Sequence, residues 1–267
     1  MAVLTLTTDF GLTDGYVGVM KGMMLSIDPT LNIVDVTHNI RPQDIRQAAY
    51  VLDAAYRFFP KGSLHICVVD PGVGSARKPL AIEAAGRFFI GPDNGVFTRI
   101  IRREQDLVAH EIANRKYMAR KVSATFHGRD VFAPAAAWLA LGEPLDEFGP
   151  KVAEPSTIDA PDAVSSEPGL ITGHIVYVDH FGNAITNIDY DMFQAAKTSG
   201  GYNSFQIVHS SCLVNSIAEA YDEAVNAQSL NVVVGSWNTL EFFIKSGHAA
   251  SVYGLCVNDT VKVRFSE

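Results

Sequence analysis

Two stretches of the chain carry side chains that could form one wall of an active site. One is SATFHGRDVFAP, in which His127 lies between a β-rich stretch and an Ala-rich helical pattern. The other is VVDPGVGSAR, in which Asp70 ends an apolar run and Arg77 follows a Gly-rich turn. Because glycine lets a short turn reverse the chain, the Arg77 guanidinium can meet the Asp70 carboxylate. Such a contact would hold Asp70 ionised, and His is a residue type that carries protons in catalysis.

Each stretch also has an ordinary structural interpretation. A lone His is more often a hydrogen-bonded structural residue than a catalyst. Asp130 is expected to cap the following helix through a side-chain oxygen, with Arg129 as a local ion-pair partner. The DPGVG turn is not followed by the GK[ST] of a phosphate-binding loop, so the sequence does not favour a phosphate site.

Further polar residues lie at the predicted ends of strands. In open α/β sheets, ligands gather in the crevice at the carboxyl ends of the strands. Turns also favour Asp, Asn and Gly for local reasons, so one such residue alone indicates little. Several such loops in one half of the chain favour a binding site. The residues are Asp9, Asp14, Asp70, Asp93 and Asn94, and later Asp179 and Asn183.

Strand-like and helix-like patterns alternate over the first part of the chain. AVLTLTTDF and LNIVDVTHNI are typical of strands, while PQDIRQAAYVLDAAYRFFP has helical spacing bounded by prolines. This alternation predicts an α/β domain over residues 1–150 with a central, mostly parallel sheet. Residues 151–169 are rich in Pro, Ser, Asp and Glu and are interpreted as a linker. Short strands separated by turns then predict a smaller all-β domain over residues 170–267.

Composition argues against several classes of protein. A formal net charge of −8 disfavours a nucleic-acid partner, which normally meets a basic face. The cysteines Cys67, Cys212 and Cys256 form no CxxC pair, so neither a disulfide framework nor a zinc site is indicated. The N-terminus lacks the basic region of a signal peptide, and no apolar stretch reaches the ~20 residues that span a bilayer. We therefore expect a soluble, cytoplasmic protein with no membrane partner.

Five motifs occur along the chain in the order TTDFGLTDGYVG, VVDPGVGSAR, GPDNG, SATFHGRDVFAP and DHFGNAITN. Together they resemble the S-adenosyl-L-methionine hydroxide adenosyltransferase family. These S-adenosylmethionine hydrolases are related to the S-adenosylmethionine-dependent chlorinase and fluorinase enzymes. The similarity covers about residues 3–260. It implies an N-terminal α/β domain, a C-terminal β-barrel domain and a homotrimer with active sites between subunits.

The resemblance also implies catalytic residues. The family's Asp, Arg and His carry over to Asp70, Arg77 and His127, and its ribose-binding Asp carries over to Asp9. In the related halogenases the acid that matches Asp70 is missing. Its presence here therefore points to hydrolysis rather than to halide transfer.

The remaining substrate contacts are implied for the C-terminal domain. Asp179 and Asn183 match the residues that contact the amino-acid amine and the adenine in the related halogenases. Ser236 matches a Ser that holds the methionine carboxylate. The segment around Ser236 departs from the family wording Asn-Ser-x-Gly-x-Leu-Glu, because Gly235 replaces the Asn and Asn238 replaces the Gly. This loop is therefore expected to take a different turn.

The implied reaction is attack of water on the ribose C5′ of S-adenosylmethionine, giving adenosine and L-methionine. The leaving group is a neutral thioether, so neither an acid nor a metal is expected, and no cofactor is needed beside the substrate. Because bulk water has a pKa of about 15.7, Asp70 is expected to accept the proton as the C–O bond forms rather than to generate free hydroxide. A neutral His127 could relay that proton.

Two other classes of function stay open on the residues alone. One is a metal-dependent hydrolase of a nucleoside compound, because carboxylates and His bind Mg²⁺ or Mn²⁺. The other is a non-catalytic S-adenosylmethionine-binding sensor. The metal ligands in the first alternative would be Asp9, Asp14, Asp70, Asp93 and His127.

Overall fold

Two hydrophobic cores organise the chain, one on each side of the boundary between Ala160 and Pro161. The structure is a computed structural model that describes residues 2–210, 212–224 and 228–267. Each unit has a sheet of its own. The domain limits predicted from composition stay a prediction.

The first unit contains a six-stranded sheet flanked by helices. Its strands are β1 (Val3–Thr8), β2 (Asn32–Thr37), β3 (Leu64–Val68), β4 (Pro79–Ala84), β5 (Arg87–Pro92) and β6 (Val108–Glu111). Its helices are α1 (Tyr16–Ile27), α2 (Ile45–Tyr56), α3 (Thr98–Arg103) and α4 (Ala133–Ala140). Short 3₁₀ turns span Arg115–Tyr117 and Leu145–Phe148, and a π-helical turn over Gly128–Phe132 leads into α4.

The strand order in this sheet is β2-β1-β3-β5-β4-β6. β1 runs parallel to β2 and β3, and β3 runs parallel to β5, whereas β4 pairs antiparallel with β5 and β6. The predicted α/β fold with a mostly parallel sheet is therefore confirmed. Thr8 of β1 lies opposite Val68 of β3. The loop that begins with Asp9 and the loop that follows Val69 therefore leave the same edge of the sheet.

Helices α1 and α4 cover the core of this sheet. Met20 and Met24 of α1 are fully buried with Leu4 and Leu6 of β1. The alanines of α4 belong to the same core, and their small side chains let the helices and the sheet approach closely. Val131 and Phe132 of the π-helical turn belong to this core too, so the packing also fixes the turn that His127 directly precedes.

The second unit is dominated by strands. Its strands are β7 (Val164–Glu167), β8 (Leu170–Val178), β9 (Ala184–Asp189), β10 (Ser204–His209), β11 (Cys212–Val214), β12 (Asn231–Val234), β13 (Thr239–Phe243) and β14 (Thr260–Ser266). Its helices are α5 (Tyr190–Ser199) and α6 (Ala249–Tyr253), and a 3₁₀ turn spans Tyr221–Glu223.

These strands form one antiparallel, nearly closed, barrel-like sheet in the order β11-β10-β14-β8-β9-β13-β12, with β7 beside β8. Along β14, buried residues alternate with exposed ones, as expected for a strand with one face on a core. The predicted C-terminal β-barrel is thereby confirmed. Within the described ranges, no helix has the length and apolar content needed to cross a membrane. The cytoplasmic location stays a prediction.

Candidate active site

The Gly-rich turn after β3 folds back, and Arg77 forms a two-pronged ion pair with Asp70. Nε of Arg77 donates to Oδ1 of Asp70 at 2.9 Å, and Nη2 donates to Oδ2. The Arg77 and Asp70 side chains are only 8% and 5% exposed. A bidentate contact of this kind fixes the plane of the carboxylate as well as its position. The contact between Arg77 and Asp70 that the Gly-rich turn was expected to allow is therefore present.

His127 joins this pair through the same guanidinium. Nη2 of Arg77 lies 2.8 Å from Nδ1 of His127. A guanidinium can only donate, so Nδ1 is the acceptor and the neutral ring carries its proton on Nε2. Burial and, after it, the Arg77 charge lower the pKa of His127 below its usual value, which favours the neutral ring at pH 7. Arg77 is therefore the centre of an Asp–Arg–His cluster.

A close contact between two loops brings the cluster together. Gly74 has a φ of +79°, and a Cβ at this position would lie 2.4 Å from the carbonyl oxygen of Ala124. Only glycine combines this backbone conformation with so close an approach. The glycines of DPGVG thus let the turn after Asp70 pack against the segment that carries His127.

A second contact holds the end of β3. Nδ2 of Asn94 donates to the carbonyl oxygen of Val69 at 2.9 Å, and its Oδ1 accepts from the backbone N–H of Val96 at 3.2 Å. Asn94 therefore ties the GPDNG loop to the residue directly before Asp70. Asn94, which the strand-end pattern indicated as a candidate binding residue, therefore has a structural role in this loop.

Asp130 does not cap a helix, as the local sequence pattern had suggested. It lies inside the π-helical turn, and its Oδ2 accepts from the backbone N–H of Ser123 at 2.8 Å. Arg129 donates to both carboxylate oxygens of Asp130. The cap prediction was wrong because the π-helical turn begins at Gly128, two residues before Asp130, and the Asp130 carboxylate reaches back to the preceding loop. It thereby holds the segment that leads to His127.

Asp9 follows β1 and faces the same cavity as Asp70. Its Oδ2 accepts from the backbone N–H of Gln43 at 2.8 Å. Gln43 has a φ of +68°, a left-handed conformation that costs free energy for a residue with a side chain. This strained residue presents its N–H to the Asp9 carboxylate and also lines the cavity. No sequence pattern indicated a role for Gln43.

The cavity in the first unit has a volume of about 350 Å³ and is lined by Asp9, Asp70 and His127. An aromatic wall of three rings completes it: Phe10, Tyr16 and Phe126 lie with ring centroids 5.3–5.8 Å apart. Such a wall keeps bulk water away from one side of the Asp–Arg–His cluster. These rings were not singled out in the sequence, because aromatic residues beside a turn are equally typical of a core.

The other predicted binding residues, Asp179, Asn183 and Ser236, line a cavity of about 1030 Å³ in the second unit. Oδ1 of Asp179 accepts from the backbone N–H groups of Phe181 and Asn183 at 2.9 and 2.8 Å. Its Oδ2 accepts from Nδ2 of Asn183 at 3.1 Å. Asp179 therefore organises the turn between β8 and β9 as well as facing the cavity.

The turn that carries Ser236 joins β12 to β13. The backbone N–H of Gly235 donates to the carbonyl oxygen of Thr239 at 2.9 Å, and that of Asn238 donates to the carbonyl oxygen of Gly235 at 3.0 Å. Asn238 has a φ of +61°, which Asn tolerates better than most residues with a side chain. Asn238 thus occupies the left-handed region that glycine reaches freely.

A buried acid that the sequence reasoning missed lies beside this turn. Glu241 of β13 is 6% exposed, lines the larger cavity and accepts from the Tyr221 hydroxyl at 2.5 Å. Burial and the nearby Asp179 charge raise the pKa of Glu241, while hydrogen bonds from Tyr221 and Asn183 oppose the rise. Two sequence signals could have found it: a single acid inside the apolar strand TLEFF, and the Glu that ends the family wording around Ser236.

Of the five ligands of the metal-dependent alternative, Asp9, Asp70 and His127 line one cavity. Among the residues that the structure describes, no three His, Cys, Asp or Glu side chains are grouped so that they could hold a metal ion. Asp93 accepts from the backbone N–H of Ser156 at 2.6 Å. This carboxylate is therefore engaged in a loop contact.

Known proteins resemble the whole chain. Two family models match it: the SAM hydroxide adenosyltransferase N-terminal domain over residues 4–149 and the corresponding C-terminal domain over residues 173–262. An (R)-S-adenosyl-L-methionine hydrolase of Salinispora tropica is 44% identical over 183 residues, which are 67% of this chain and 69% of the relative. A protein of the same name from Salinispora arenicola is 34% identical over 270 residues, with 97% of each chain covered.

More distant relatives and a solved structure agree with these matches. Fluorinases are 28–32% identical to the chain. The crystal structure of an uncharacterized conserved protein from Thermotoga maritima has a TM-score of 0.91 and 32% identity, and the match covers 98% of this chain and 100% of that one. On the strength of both domain matches, the chain belongs to the SAM hydroxide adenosyltransferase family.

Proposed function

We propose that this protein hydrolyses S-adenosyl-L-methionine to adenosine and L-methionine by attack of water at the ribose C5′. The observation that carries the proposal is the contact of Arg77 with both Asp70 and His127, beside a cavity that Asp9 also lines. The names of the relatives, (R)-S-adenosyl-L-methionine hydrolase, support the same substrate.

The reaction balances with water as the only second reactant. A lone pair of the water oxygen forms the bond to C5′, and the C5′–S bond breaks with its electron pair going to sulfur. The positively charged sulfonium thereby becomes the neutral thioether of methionine. One water proton remains on the new 5′-hydroxyl of adenosine, and the other leaves through a side chain of the site.

Asp70 accepts the proton that leaves. Arg77 holds both oxygens of this carboxylate, and each oxygen keeps a lone pair for a water hydrogen. A water held in place needs no separate ordering at the moment of attack, which is a large part of what an enzyme contributes to such a step. A carboxylate beside C5′ also repels halide ions, which favours water as the nucleophile.

His127 then orients the water rather than relaying the proton. Its Nδ1 is occupied by the hydrogen bond from Arg77, so the nitrogen left for a ligand is Nε2, which carries a hydrogen. An Nε2–H group donates to the water oxygen and leaves another lone pair of that oxygen free to attack. Asp70 and His127 together fix the water by one accepted and one donated hydrogen bond.

The substrate contacts are divided between the two cavities. Asp9 is assigned to the ribose hydroxyls, since a carboxylate accepts from two neighbouring hydroxyl groups. In the larger cavity, Asp179 and Asn183 are assigned to the amine and the adenine, and Ser236 to the methionine carboxylate. The protein acts as a homotrimer in which Asp9, Asp70 and His127 of one subunit meet the larger cavity of a neighbouring subunit. Light scattering that finds an active monomer would overturn this assembly.

Incubation with S-adenosylmethionine in ¹⁸O-labelled water tests the reaction. The expected product is adenosine with the label in its 5′ oxygen, detected by mass spectrometry. Adenine or unlabelled adenosine would contradict attack at C5′. Binding of S-adenosylmethionine without any turnover would favour the sensor, and activity that EDTA abolishes and Mg²⁺ restores would favour the metal-dependent hydrolase.

A further inference from the structure

The residue before Asp9 makes a hydrogen bond that shapes the turn around Asp9. Oγ1 of Thr8 accepts from the backbone N–H of Phe10 at 3.2 Å. A hydroxyl that bonds the backbone two residues further on closes a short turn, with the intervening residue at its centre. Asp9 is that central residue. The rotamer of Thr8 therefore contributes to the direction in which the Asp9 carboxylate points.

A buried histidine fixes the Thr8 hydroxyl. Nδ1 of His38 lies 2.9 Å from Oγ1 of Thr8, and the two residues are 3% and 0% exposed. Nε2 of the same ring lies 3.0 Å from Oδ1 of Asp35 without the alignment of a hydrogen bond. The negative charge still favours the ring proton on this nitrogen. Nδ1 is then an acceptor, so the Thr8 hydroxyl donates to His38 and keeps its lone pairs for the N–H of Phe10.

The same contacts reach helix α1. Nζ of Lys21, on α1, donates to Oδ2 of Asp35, on β2, at 2.6 Å. Both of these side chains are partly exposed, whereas His38 and Thr8 are buried. A chain of four side chains thus runs from the surface to the turn around Asp9.

The backbone near His38 frames the same turn. The backbone N–H of Gly11 donates to the carbonyl oxygen of His38 at 2.7 Å, and that of Ile40 donates to the carbonyl oxygen of Thr8 at 3.3 Å. These bonds do not involve the side chains of Thr8 and His38. We therefore expect a change in either side chain to shift the Asp9 carboxylate without unfolding the loop.

We propose that His38 is a positioning residue for the ribose site, because it holds the Asp9 carboxylate, through Thr8, in the orientation that receives two neighbouring hydroxyl groups. His38 is not among the residues that line the cavity, and Asp9 makes the contact. The inference rests on the proposed function in one respect, namely that Asp9 binds a ribose. It predicts an effect on binding rather than on the chemical step, because the Asp–Arg–His cluster takes no part in these contacts.

A second Thr–His pair on the same strand provides a matched control. Oγ1 of Thr5 lies 2.8 Å from Nδ1 of His65, and these residues are as buried as Thr8 and His38. Neither Thr5 nor His65 lines the cavity of Asp9. A hydrogen bond with only a structural role should affect stability at both positions. A positioning contact should affect binding at Thr8 alone.

Thr8→Val and Thr5→Val each remove one hydroxyl and nearly keep the shape of the side chain. Calorimetry with adenosine on the full-length protein measures binding without turnover. Thr8→Val should weaken binding at least about fivefold, whereas Thr5→Val should change it by less than about twofold. Thr8→Ser keeps the hydroxyl and should bind adenosine as tightly as the unaltered protein, within about twofold. Equal losses of affinity in the two Val variants, or no loss in Thr8→Val, would overturn the proposal.

Two substitutions of His38 separate the roles of its nitrogens. In His38→Asn the amide oxygen can replace Nδ1 as the acceptor for Thr8, and in His38→Gln the amide nitrogen can replace Nε2 beside Asp35. His38→Asn should keep the affinity for adenosine within about threefold, and His38→Gln should lose as much as Thr8→Val. The opposite order would contradict the role of Nδ1. The Thr8 and Thr5 variants decide the test where a His38 variant does not fold.

Turnover distinguishes this inference from the proposed function. Thr8→Val should keep the kcat for S-adenosylmethionine within about threefold, and a loss of kcat with unchanged affinity would contradict a role in binding. A protein that does not hydrolyse S-adenosylmethionine, but whose affinity for adenosine falls in Thr8→Val and not in Thr5→Val, would contradict the proposed function and support this inference. Hydrolysis together with equal affinities in the unaltered protein and Thr8→Val would do the reverse. No measurable binding of adenosine to the unaltered protein would overturn the inference.

Discussion

Nη2 of Arg77 lies 2.8 Å from Nδ1 of His127, and the same guanidinium binds the Asp70 carboxylate through two nitrogens. One cation thus sets the position of an acid and the tautomer of an imidazole. Because the three side chains act as one unit, changing any of them should disturb the other two.

Single substitutions in this cluster should lower turnover and leave substrate binding nearly unchanged. We expect Asp70→Ala, Arg77→Ala and His127→Ala each to reduce kcat by about 10²–10⁴-fold, the range for a positioned proton acceptor or its support. The double change Asp70→Ala with His127→Ala should cost less than the product of the single losses. Steady-state kinetics and calorimetry with S-adenosylmethionine measure the two effects separately.

His127→Asn is the matched variant for the role of Nε2. Its Oδ1 can replace Nδ1 as the acceptor for Arg77, but it has no group at the position of Nε2. If Nε2 holds the water, His127→Asn should be nearly as slow as His127→Ala. Full activity in a folded His127→Ala protein would show that this stretch is structural.

The pH dependence of kcat/KM should follow the protonation of His127. Burial and the Arg77 charge lower its pKa, so the neutral ring persists below the usual value of about 6.5. Activity should therefore stay constant as the pH falls to about 6.5 and decline only at lower pH, when a proton on Nδ1 breaks the bond to Arg77. Arg77→Gln removes one of the two lowering causes and should raise the pKa of His127. NMR titration of the imidazole checks the direction of this shift, and a downward shift would contradict it.

Asp9→Ala should affect binding rather than chemistry. The carboxylate is assigned to the ribose hydroxyls and also accepts from the backbone N–H of Gln43. Losing these contacts should raise KM and the Kd of S-adenosylmethionine by about 10–100-fold, as expected for hydrogen bonds to a charged group. A fall in kcat with unchanged Kd would place Asp9 in the chemical step instead.

The sequence alone predicts the two sheets and the Arg77–Asp70 contact of this site. It predicts few of the other contacts that hold the site together. The hydrophobic patterns of strands and helices are short-range properties of the sequence. They therefore lead to the correct α/β and barrel-like units. The Arg77–Asp70 contact is also local, because one Gly-rich turn joins the two residues. His127 is 50 positions from Arg77, and its place in the cluster followed from the family motifs rather than from spacing.

Contacts that depend on the packing of distant elements could not be predicted in this way. Gln43 is an ordinary residue before a helix until the fold places its N–H on Asp9. Glu241 occupies a strand whose pattern shows burial but not the identity of its partners, Tyr221 and Asn183. The cap prediction for Asp130 was wrong for a related reason: a rule for one helix start cannot foresee a π-helical turn that moves that start to Gly128.

Acid stability should reflect a buried histidine, His65, that lines neither of the two cavities described above. His65 of β3 is 1% exposed and hydrogen-bonds the hydroxyls of Thr5 and Ser63, each at 2.8 Å. Burial and, after it, the Arg87 charge lower the pKa of His65 to about 3. Between about pH 6.5 and 3 the unfolded chain therefore binds a proton that the folded chain does not, and stability falls as the pH falls. By pH 5 the loss should be about 2 kcal/mol.

Urea unfolding of His65→Gln at pH 7 and pH 5 measures this contribution. The variant cannot take up the proton in either state, so its free energy of unfolding should fall less between the two pH values than that of the unaltered protein. Equal pH dependence in the two proteins would show that His65 is not the group responsible.

A pair of glycine substitutions tests the contact between Gly74 and Ala124, which brings together the two loops of the Asp–Arg–His cluster. Gly74 and Gly62 both have left-handed φ angles, +79° and +80°. A Cβ at Gly62 meets nothing within 4 Å, whereas a Cβ at Gly74 would lie 2.4 Å from the carbonyl oxygen of Ala124. Gly62→Ala should therefore show only the backbone cost of about 1–2 kcal/mol, and Gly74→Ala should lose about 1–3 kcal/mol more. The clash moves the turn after Asp70 away from the loop of His127, so Gly74→Ala should also lower kcat at least about tenfold, while Gly62→Ala keeps the kcat of the unaltered protein. Urea unfolding and steady-state kinetics on the two variants give both readouts, and equal behaviour of the pair would show that the contact with Ala124 does not position the cluster.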